Sequence, residues 1–490
     1  MLCIECGTGQ AQREWIGVIN KSTYWNNNCT RKSATRRCAA GTANITMWTL
    51  ERPCPVVLDE ARAYDAPQPH ASANMTSPSA SGPLSGIRVL DLAQGSEQYC
   101  GKLFAQLGAD VLLVEPPTGC AGRREGPFLD DHVHPEHSLG FAYFNQGKRG
   151  VALDLDEAQG QEIFRALVQH ADLVIECERP GRMQARGLDH AALAHLQPGI
   201  VTTSITTFGQ DGPYAQYEGG DLVALAYGGL LSLGGYPGLA PTAPYGNQAL
   251  LAAAQFAAVA AMVALWDVEG QAGEHQGQHV DVSVQESVAM ALENAVQFVE
   301  LENTVRQRNA GQQRQAGTGV FPCSDGMVYL MAGGIASNKF WDVTAQWMAD
   351  VQAPGAAQLR EPRWHDAGFL ATAEAKDLFA QVFEPYAAAH PKAELYAEGQ
   401  RRRIPICPVS TTADLMHNRQ LAHRGYFEQT PHPYSGRTLT VPGAPYRLSA
   451  SPWRLGRPAP RLGEHSAEVL AALGYDADVQ AVLLRQGVIA

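Results

Sequence analysis

The sequence of 490 residues lacks the features that mark several common protein classes. It opens without the basic segment and apolar stretch of a secretory signal peptide. Its formal net charge is −12, with 49 acidic against 37 basic residues, which argues against nucleic acid as a partner. No G-x-G-x-x-G fingerprint follows the first predicted strand, so NAD and FAD are not indicated. We therefore expect a cytoplasmic protein with reduced thiols.

Paired cysteines are also scarce. Five of the ten cysteines fall in the first 54 residues, and only Cys3 and Cys6 have the spacing of half a zinc site. No second pair follows at a suitable distance, so the sequence predicts no metal centre.

A long charge-free run does occur, at residues 246–265, with nine alanines in GNQALLAAAQFAAVAAMVAL. About 20 apolar residues are enough to span a bilayer. The run nevertheless contains Asn247, Gln248 and Gln255, alanine is only weakly apolar, and charged residues follow at once. These features favour a buried helix, and we expect no membrane as a partner.

Hydrophobic residues make up 45% of the chain and charged residues 18%, as in folded globular proteins. Apolar strand-like runs such as IRVLDL (87–92) and DVLLVE (110–115) alternate with helical patterns. This alternation predicts an α/β fold with a parallel, doubly wound sheet.

Changes in composition divide the chain into four segments. Residues 1–82 are predicted to be an N-terminal extension and linker, either disordered or, with translation starting at Met75, not translated. Residues 83–289 form the first part of a large domain. Residues 290–415 form linker helices and a smaller α+β domain, and residues 416–490 return to the large domain.

Several stretches from about residue 82 to 474 are similar, in the same order, to the class III CoA-transferase family. Among them are GADVLLVEPP (108–117), FNQGKRGVALDL (144–155), TTFGQDGPYA (206–215) and GQHVDVSVQE (277–286). The family includes formyl-CoA transferase, carnitine CoA-transferases and α-methylacyl-CoA racemase. Each piece is weak alone, and their shared order carries the resemblance.

The resemblance implies a Rossmann-like large domain built from both ends of the chain, with the smaller domain inserted. It also implies an interlocked dimer, either a homodimer or a heteromer with a sister CoA-transferase subunit. The implied substrates are an acyl-CoA and a carboxylic acid, with coenzyme A passing between acids and no permanently bound cofactor.

Basic residues are the candidates for binding the coenzyme, because its pyrophosphate and 3′-phosphate favour Arg and Lys. The candidates are Lys148, Arg149, Arg123, Arg124 and Arg186. Two departures from the family pattern weaken this assignment. Glu97 stands in the loop after the first strand, where a carboxylate would repel phosphates, and Cys177 and Glu178 replace the Asn and Phe common in relatives.

The family's transfer chemistry uses an aspartate at the start of a long helix, which attacks the thioester and forms covalent intermediates. In the present chain the corresponding position is Leu250, or Asn247 in a shifted register. Neither side chain can act as such a nucleophile. The family's racemase bases are missing too: Gly220 stands where the histidine belongs, and Asp221 is expected to cap the helix that it begins.

Three hypotheses remain open. The chain is a CoA-transferase subunit whose partner supplies the aspartate, or a catalytically silent acyl-CoA-binding homologue or scaffold. In the third, it is an enzyme that uses another carboxylate, such as Glu218 or Glu286.

Overall fold

The structure is a computed structural model. It describes residues 82–270, 275–308, 313–333 and 339–490 and, ahead of them, the backbone of two antiparallel strands, β1 (Ser33–Arg37) and β2 (Asn44–Trp48). The remaining part of the predicted extension and linker, with Cys3, Cys6 and Met75, lies outside the described residues.

A six-stranded sheet forms the centre of the large domain. Its strands are β3 (Arg88–Asp91), β4 (Asp110–Glu115), β5 (Arg149–Ala152), β6 (Leu173–Glu176), β7 (Val201–Thr206) and β8 (His279–Ser283). The order across the sheet is β5-β4-β3-β6-β7-β8, and all neighbouring strands are parallel. This is the order of a doubly wound fold, so the predicted α/β class is confirmed.

The strands form because both faces of the sheet are covered. Val89 faces one apolar core and its neighbour Leu90 faces the other, as the alternation of side chains along a strand requires. Strands buried on both faces read as nearly continuous apolar runs, which is the pattern seen in the sequence.

Nine helices, counted among the described residues up to 308, connect or flank these strands. They are α1 (Tyr99–Gln106), α2 (Leu139–Phe144), α3 (Ala158–Val168), α4 (Arg182–Ala185), α5 (His190–Leu196), α6 (Asp221–Tyr227), α7 (Gln248–Gly270), α8 (Val284–Met290) and α9 (Ala295–Glu302).

A second, antiparallel sheet contains β9 (Thr318–Cys323), β10 (Gly326–Met331) and β11 (Ile406–Val409), in the order β11-β10-β9. Four helices accompany it: α10 (Lys339–Asp350), α11 (Ala367–Ala371), α12 (Ala373–Ala388) and α13 (Lys392–Arg402). Aromatic side chains from β9, α10 and α12, including Trp347, Phe321 and Phe383, fill a core of their own.

The chain then returns to the large sheet. It passes through α14 (Thr412–Met416), α15 (Arg419–Arg424) and the hairpin of β12 (Phe427–Pro431) and β13 (Thr438–Pro442), and ends in α16 (Ser466–Ala472) and α17 (Ala477–Gln486). Leu470 and Leu483 pack into the same core as Leu90, so the last helices cover one face of the large sheet.

Helix α7 contains the long charge-free run. Its alanines at 253, 257, 261 and 264 are buried in the core beside the sheet. The opposite face carries Phe256, Val259, Val263 and Trp266, which are 43–73% exposed and lie on one side of the helix; we call them the uncovered stripe. In the described part of the chain, α7 alone is long and apolar enough to cross a membrane. The prediction of a buried helix is correct for the alanine face and wrong for the stripe.

Candidate active site

The strand order reverses direction between β3 and β6, and in open α/β sheets ligands bind outside the carboxyl ends of the strands at this point. Here the loops after β3, β4 and β6 meet. The backbone N–H of Gln94 donates to Cys177 Sγ at 3.3 Å, and the N–H of Gly122 donates to the Gln94 carbonyl at 2.7 Å. We call this place the switch-point crevice.

The start of α7 lies against the same crevice. Asn247 Nδ2 donates to Ser96 Oγ at 2.8 Å, which ties the helix to the loop after β3. Asp221 Oδ1 accepts the backbone N–H groups of Ala249 (2.7 Å) and Leu250 (3.1 Å). Leu250, the position that the resemblance assigns to the family's nucleophile, is thus partly buried, and its N–H is already bonded to a carboxylate.

The expected role of Asp221 needs correction. It is the first residue of α6, as predicted, but its carboxylate caps the first turn of α7. The reason is tertiary: the Thr207 hydroxyl donates to the Gly219 carbonyl just ahead of α6, and the start of α6 lies beside the start of α7, where free N–H groups attract an anion.

Glu97 is the acid that the sequence marked as a departure, and it lies at this crevice. Its carboxylate and that of Glu125 both border Gly95. Burial raises the pKa of the Glu97 carboxyl, and the nearby carboxylates of Glu125, Asp221 and Asp91 raise it further. The crevice is therefore locally acidic.

Glu97→Gln should stabilise the protein at neutral pH, by on the order of 1 kcal/mol, because the variant buries no charge there. A carboxyl whose pKa is raised on folding contributes its full stability below its ordinary pKa of 4.5. That contribution is lost as the pH rises through the pKa of the folded state. The gain should thus be present at pH 7.5 and absent at pH 4, as measured by thermal unfolding. Glu302→Gln, on the exposed end of α9, is the control. An equal effect of both variants would contradict the assignment.

Of the basic candidates, Lys148 is fully buried and bonded inside the chain. Its Nζ donates to Asp91 Oδ2 (2.7 Å), the Gln98 carbonyl (2.7 Å) and Asn145 Oδ1 (2.8 Å). All three N–H bonds of the ammonium are used. The side chain fixes the loop after β3 from within.

Three further candidates are held in ion pairs. Arg123 is buried between Glu115 and Glu136. Arg149 pairs with Asp110 and Glu468, beside a cavity of about 480 Å³ at the amino ends of β3 and β4, so its guanidinium points away from the carboxyl edge. The pair of adjacent residues 148 and 149 is therefore not brought to one site. Arg186 binds Asp156 and Glu178.

Arg124 differs from the other four. Its guanidinium donates to the carbonyls of Thr118 and Gly119, and no carboxylate partner is found for it among the described residues. It is exposed and follows β4, in the loop that is bonded to Gln94. Phosphate binding by the five candidates stays a prediction, and Arg124 is the one placed at the crevice with free donors.

Two features of the site were not foreseen. A group of rings from Phe208, Tyr214, Tyr217 and Tyr227, which we call the tyrosine cluster, stands on the carboxyl edge after β7. The signal was present as four aromatic residues within 20 positions. Lys102 is buried and has no hydrogen-bond partner among the residues that the structure describes, and nothing in the sequence marks it. The described residues hold no cluster of three or more potential metal ligands.

The doubly wound sheet, with a ligand crevice at its switch point and a second α+β core beside it, defines a two-core α/β class of protein. The chain belongs to CoA-transferase family III, whose model matches residues 84–466. The family resemblance in the sequence is thereby confirmed.

The chain is 40% identical to the succinyl-CoA:(R)-benzylsuccinate CoA-transferase subunit BbsE of Thauera aromatica, over 83% of this chain and 98% of the relative. It is 30% identical to a succinyl-CoA–D-citramalate CoA-transferase of Chloroflexus aurantiacus, over 83% and 98%. Among solved structures it is similar to a CAIB/BAIF family protein from Brucella suis, with a TM-score of 0.70 and 27% identity over 80% of this chain and 100% of that chain.

Proposed function

We propose that this chain is the non-nucleophilic subunit of a heteromeric CoA-transferase that moves coenzyme A from succinyl-CoA to an aryl-substituted dicarboxylic acid. The observation that carries the proposal is the start of α7, where Leu250 stands in place of an acid and residues 246–265 contain no carboxylate. The name of the relative that is 40% identical is that of a subunit, which supports the same assignment.

In this proposal the partner subunit supplies the carboxylate that the present chain lacks. That carboxylate attacks the thioester carbonyl, and the C–S bond breaks. The CoA thiolate departs, and a mixed anhydride between the enzyme carboxylate and the succinyl group remains. The thiolate then attacks the enzyme's own carbonyl carbon and releases succinate, which leaves coenzyme A as a thioester on the enzyme. The accepting acid repeats both steps in reverse order.

The arrangement around Leu250 supports a role for this chain's own crevice that does not include the nucleophilic step. Asp221 holds the first N–H groups of α7, so they are not available to stabilise an oxyanion. The acids at Glu97 and Glu125 would repel a CoA phosphate at this place.

The uncovered stripe of α7 supports assembly with another chain. Val259, Val263 and Trp266 are each more than 60% exposed, and apolar rows of this kind mark protein–protein contacts. The interlocked dimer belongs to this proposal, and the sister subunit is its second chain.

The test compares the purified chain with the same chain co-purified with a sister subunit that carries the helix-start aspartate. Succinyl-CoA and benzylsuccinate are supplied, and the CoA thioesters are separated by chromatography. The chain alone should form no benzylsuccinyl-CoA above the protein-free rate, whereas the assembly should form it at rates typical of enzymes, on the order of 1–1000 s⁻¹.

Two variants sharpen this test. Exchanging the partner's aspartate for asparagine should abolish transfer, while Glu218→Gln and Glu286→Gln in this chain should leave it intact. Robust transfer by the isolated chain, lost on changing Glu218 or Glu286, would assign catalysis to this chain and overturn the proposal.

A further inference from the structure

The tyrosine cluster lies beside the switch-point crevice. Phe208 follows β7 directly, and Tyr227 is on α6, the helix whose first residue caps the start of α7. The loop between them is also tied to the loop after β6, since Gln216 Nε2 donates to the Pro180 carbonyl at 3.2 Å. The cluster is thus attached to the same elements that shape the crevice.

The rings contact one another edge to face or tilted, with centroids 5.2–5.9 Å apart. Tyr214, Tyr217 and Tyr227 nevertheless remain 41%, 57% and 51% exposed. Edge-to-face packing leaves ring surface uncovered, on which a further aromatic ring finds partners at the preferred distance.

A cation stands next to these rings. The guanidinium of Arg179, on the loop after β6, binds Glu218 Oε1 at 2.9 Å and the Gln216 carbonyl at 3.1 Å, so it holds the two residues on either side of Tyr217. Both side chains of this ion pair are more than half exposed. Exposed pairs contribute little stability, so a ligand carboxylate can replace Glu218 on Arg179 at small cost.

We propose that the tyrosine cluster binds the aryl group of the dicarboxylic acid substrate, and that Arg179 binds the carboxylate of that acid which does not receive coenzyme A. The inference rests on the proposed function, and it assigns the recognition of the acid to this chain while the nucleophile belongs to the partner. Aromatic rings and an arginine together match an arylalkyl succinate. The rings supply apolar contacts for the aryl group, and the guanidinium supplies a planar pair of N–H donors for the carboxylate.

Isothermal titration of the assembled protein with benzylsuccinate and with succinate, both without coenzyme A, tests the inference. The parent should bind benzylsuccinate at least tenfold more tightly than succinate, because only the former buries a ring. Tyr217→Ala should weaken benzylsuccinate binding about fivefold and leave succinate binding unchanged. Arg179→Gln should weaken the binding of both acids about tenfold.

Tyr245→Ala is the matched control, since this tyrosine is 94% exposed and makes no ring contact in the cluster. Equal affinities for the two acids, or equal effects of Tyr217→Ala and Tyr245→Ala, would overturn the inference. A third outcome would also overturn the inference: Tyr217→Ala lowers the mass of the assembly in sedimentation but keeps the preference for benzylsuccinate. The cluster would then be a contact between subunits. These readouts need no turnover, so a negative result leaves the proposed subunit role standing.

Discussion

Lys148→Met is expected to lower the free energy of unfolding by about 3–5 kcal/mol, because it leaves the buried carboxylate of Asp91 without a cation. In the native chain Lys148 Nζ bonds Asp91, the Gln98 carbonyl and Asn145 Oδ1, and neither member of the ion pair is accessible to water. The variant loses the pair and also the anchor of the loop that shapes the crevice. Urea unfolding of the purified chain, followed by circular dichroism, measures the loss.

The neighbouring residue provides the control. Arg149→Met removes an ion pair that is open to solvent, and such pairs contribute about 0–1 kcal/mol. The double variant Lys148→Met with Asp91→Asn should recover part of the stability, since no charge is then left buried without a partner. If Lys148→Met and Arg149→Met unfold at the same urea concentration, the buried ion pair is not the structural anchor described above.

Lys102→Met should instead raise the free energy of unfolding, by on the order of 3 kcal/mol at pH 7. Burial, together with the nearby charge of Lys148, lowers the pKa of Lys102 to about 6. Its amine rests on the ring face of Tyr143, 3.1 Å from the centroid, with no hydrogen-bond acceptor among the described residues. Methionine keeps the length and apolar stem of lysine and needs no proton or acceptor.

The pH dependence identifies the cause. An amine whose pKa falls on folding destabilises the folded state. This cost is largest at low pH and shrinks as the pH rises from the folded pKa, about 6, to the ordinary pKa of 10.5. The gain from Lys102→Met, measured as a rise in Tm, should therefore be large at pH 7 and small at pH 10. Lys376→Met, at a partly exposed position on α12, is the control. A gain that does not change with pH would mean that packing, and not the charge, is responsible.

The parallel sheet was predictable because burial on both faces leaves a direct mark in the sequence. The runs IRVLDL and DVLLVE are mostly apolar, and β3 and β4 form there. Helix α7 shows the limit of this approach. Its two faces are both apolar, so composition cannot distinguish the alanine face in the core from the uncovered stripe.

The site was predictable only in part, since it depends on contacts between segments far apart in the chain. The absence of a carboxylate from residues 246–265 could be read from the sequence. The cap of Asp221 on α7 could not, because 28 residues separate it from the N–H of Ala249. Lys148 and Arg149 show the same limit. Adjacent side chains at the start of a strand point in opposite directions, so the fold separates two bases that are neighbours in the sequence.

The uncovered stripe also bears on how the protein is produced in the cell. Under the proposed assembly, a newly made chain that finds no sister subunit displays Phe256, Val259, Val263 and Trp266 to water, and such surfaces are what chaperones and proteases recognise. We expect the surplus of this chain to be removed, so that its abundance follows the synthesis of its partner. Expression of the gene alone should then give a low yield of the chain. Coexpression with the sister subunit should give the two chains in equal amounts.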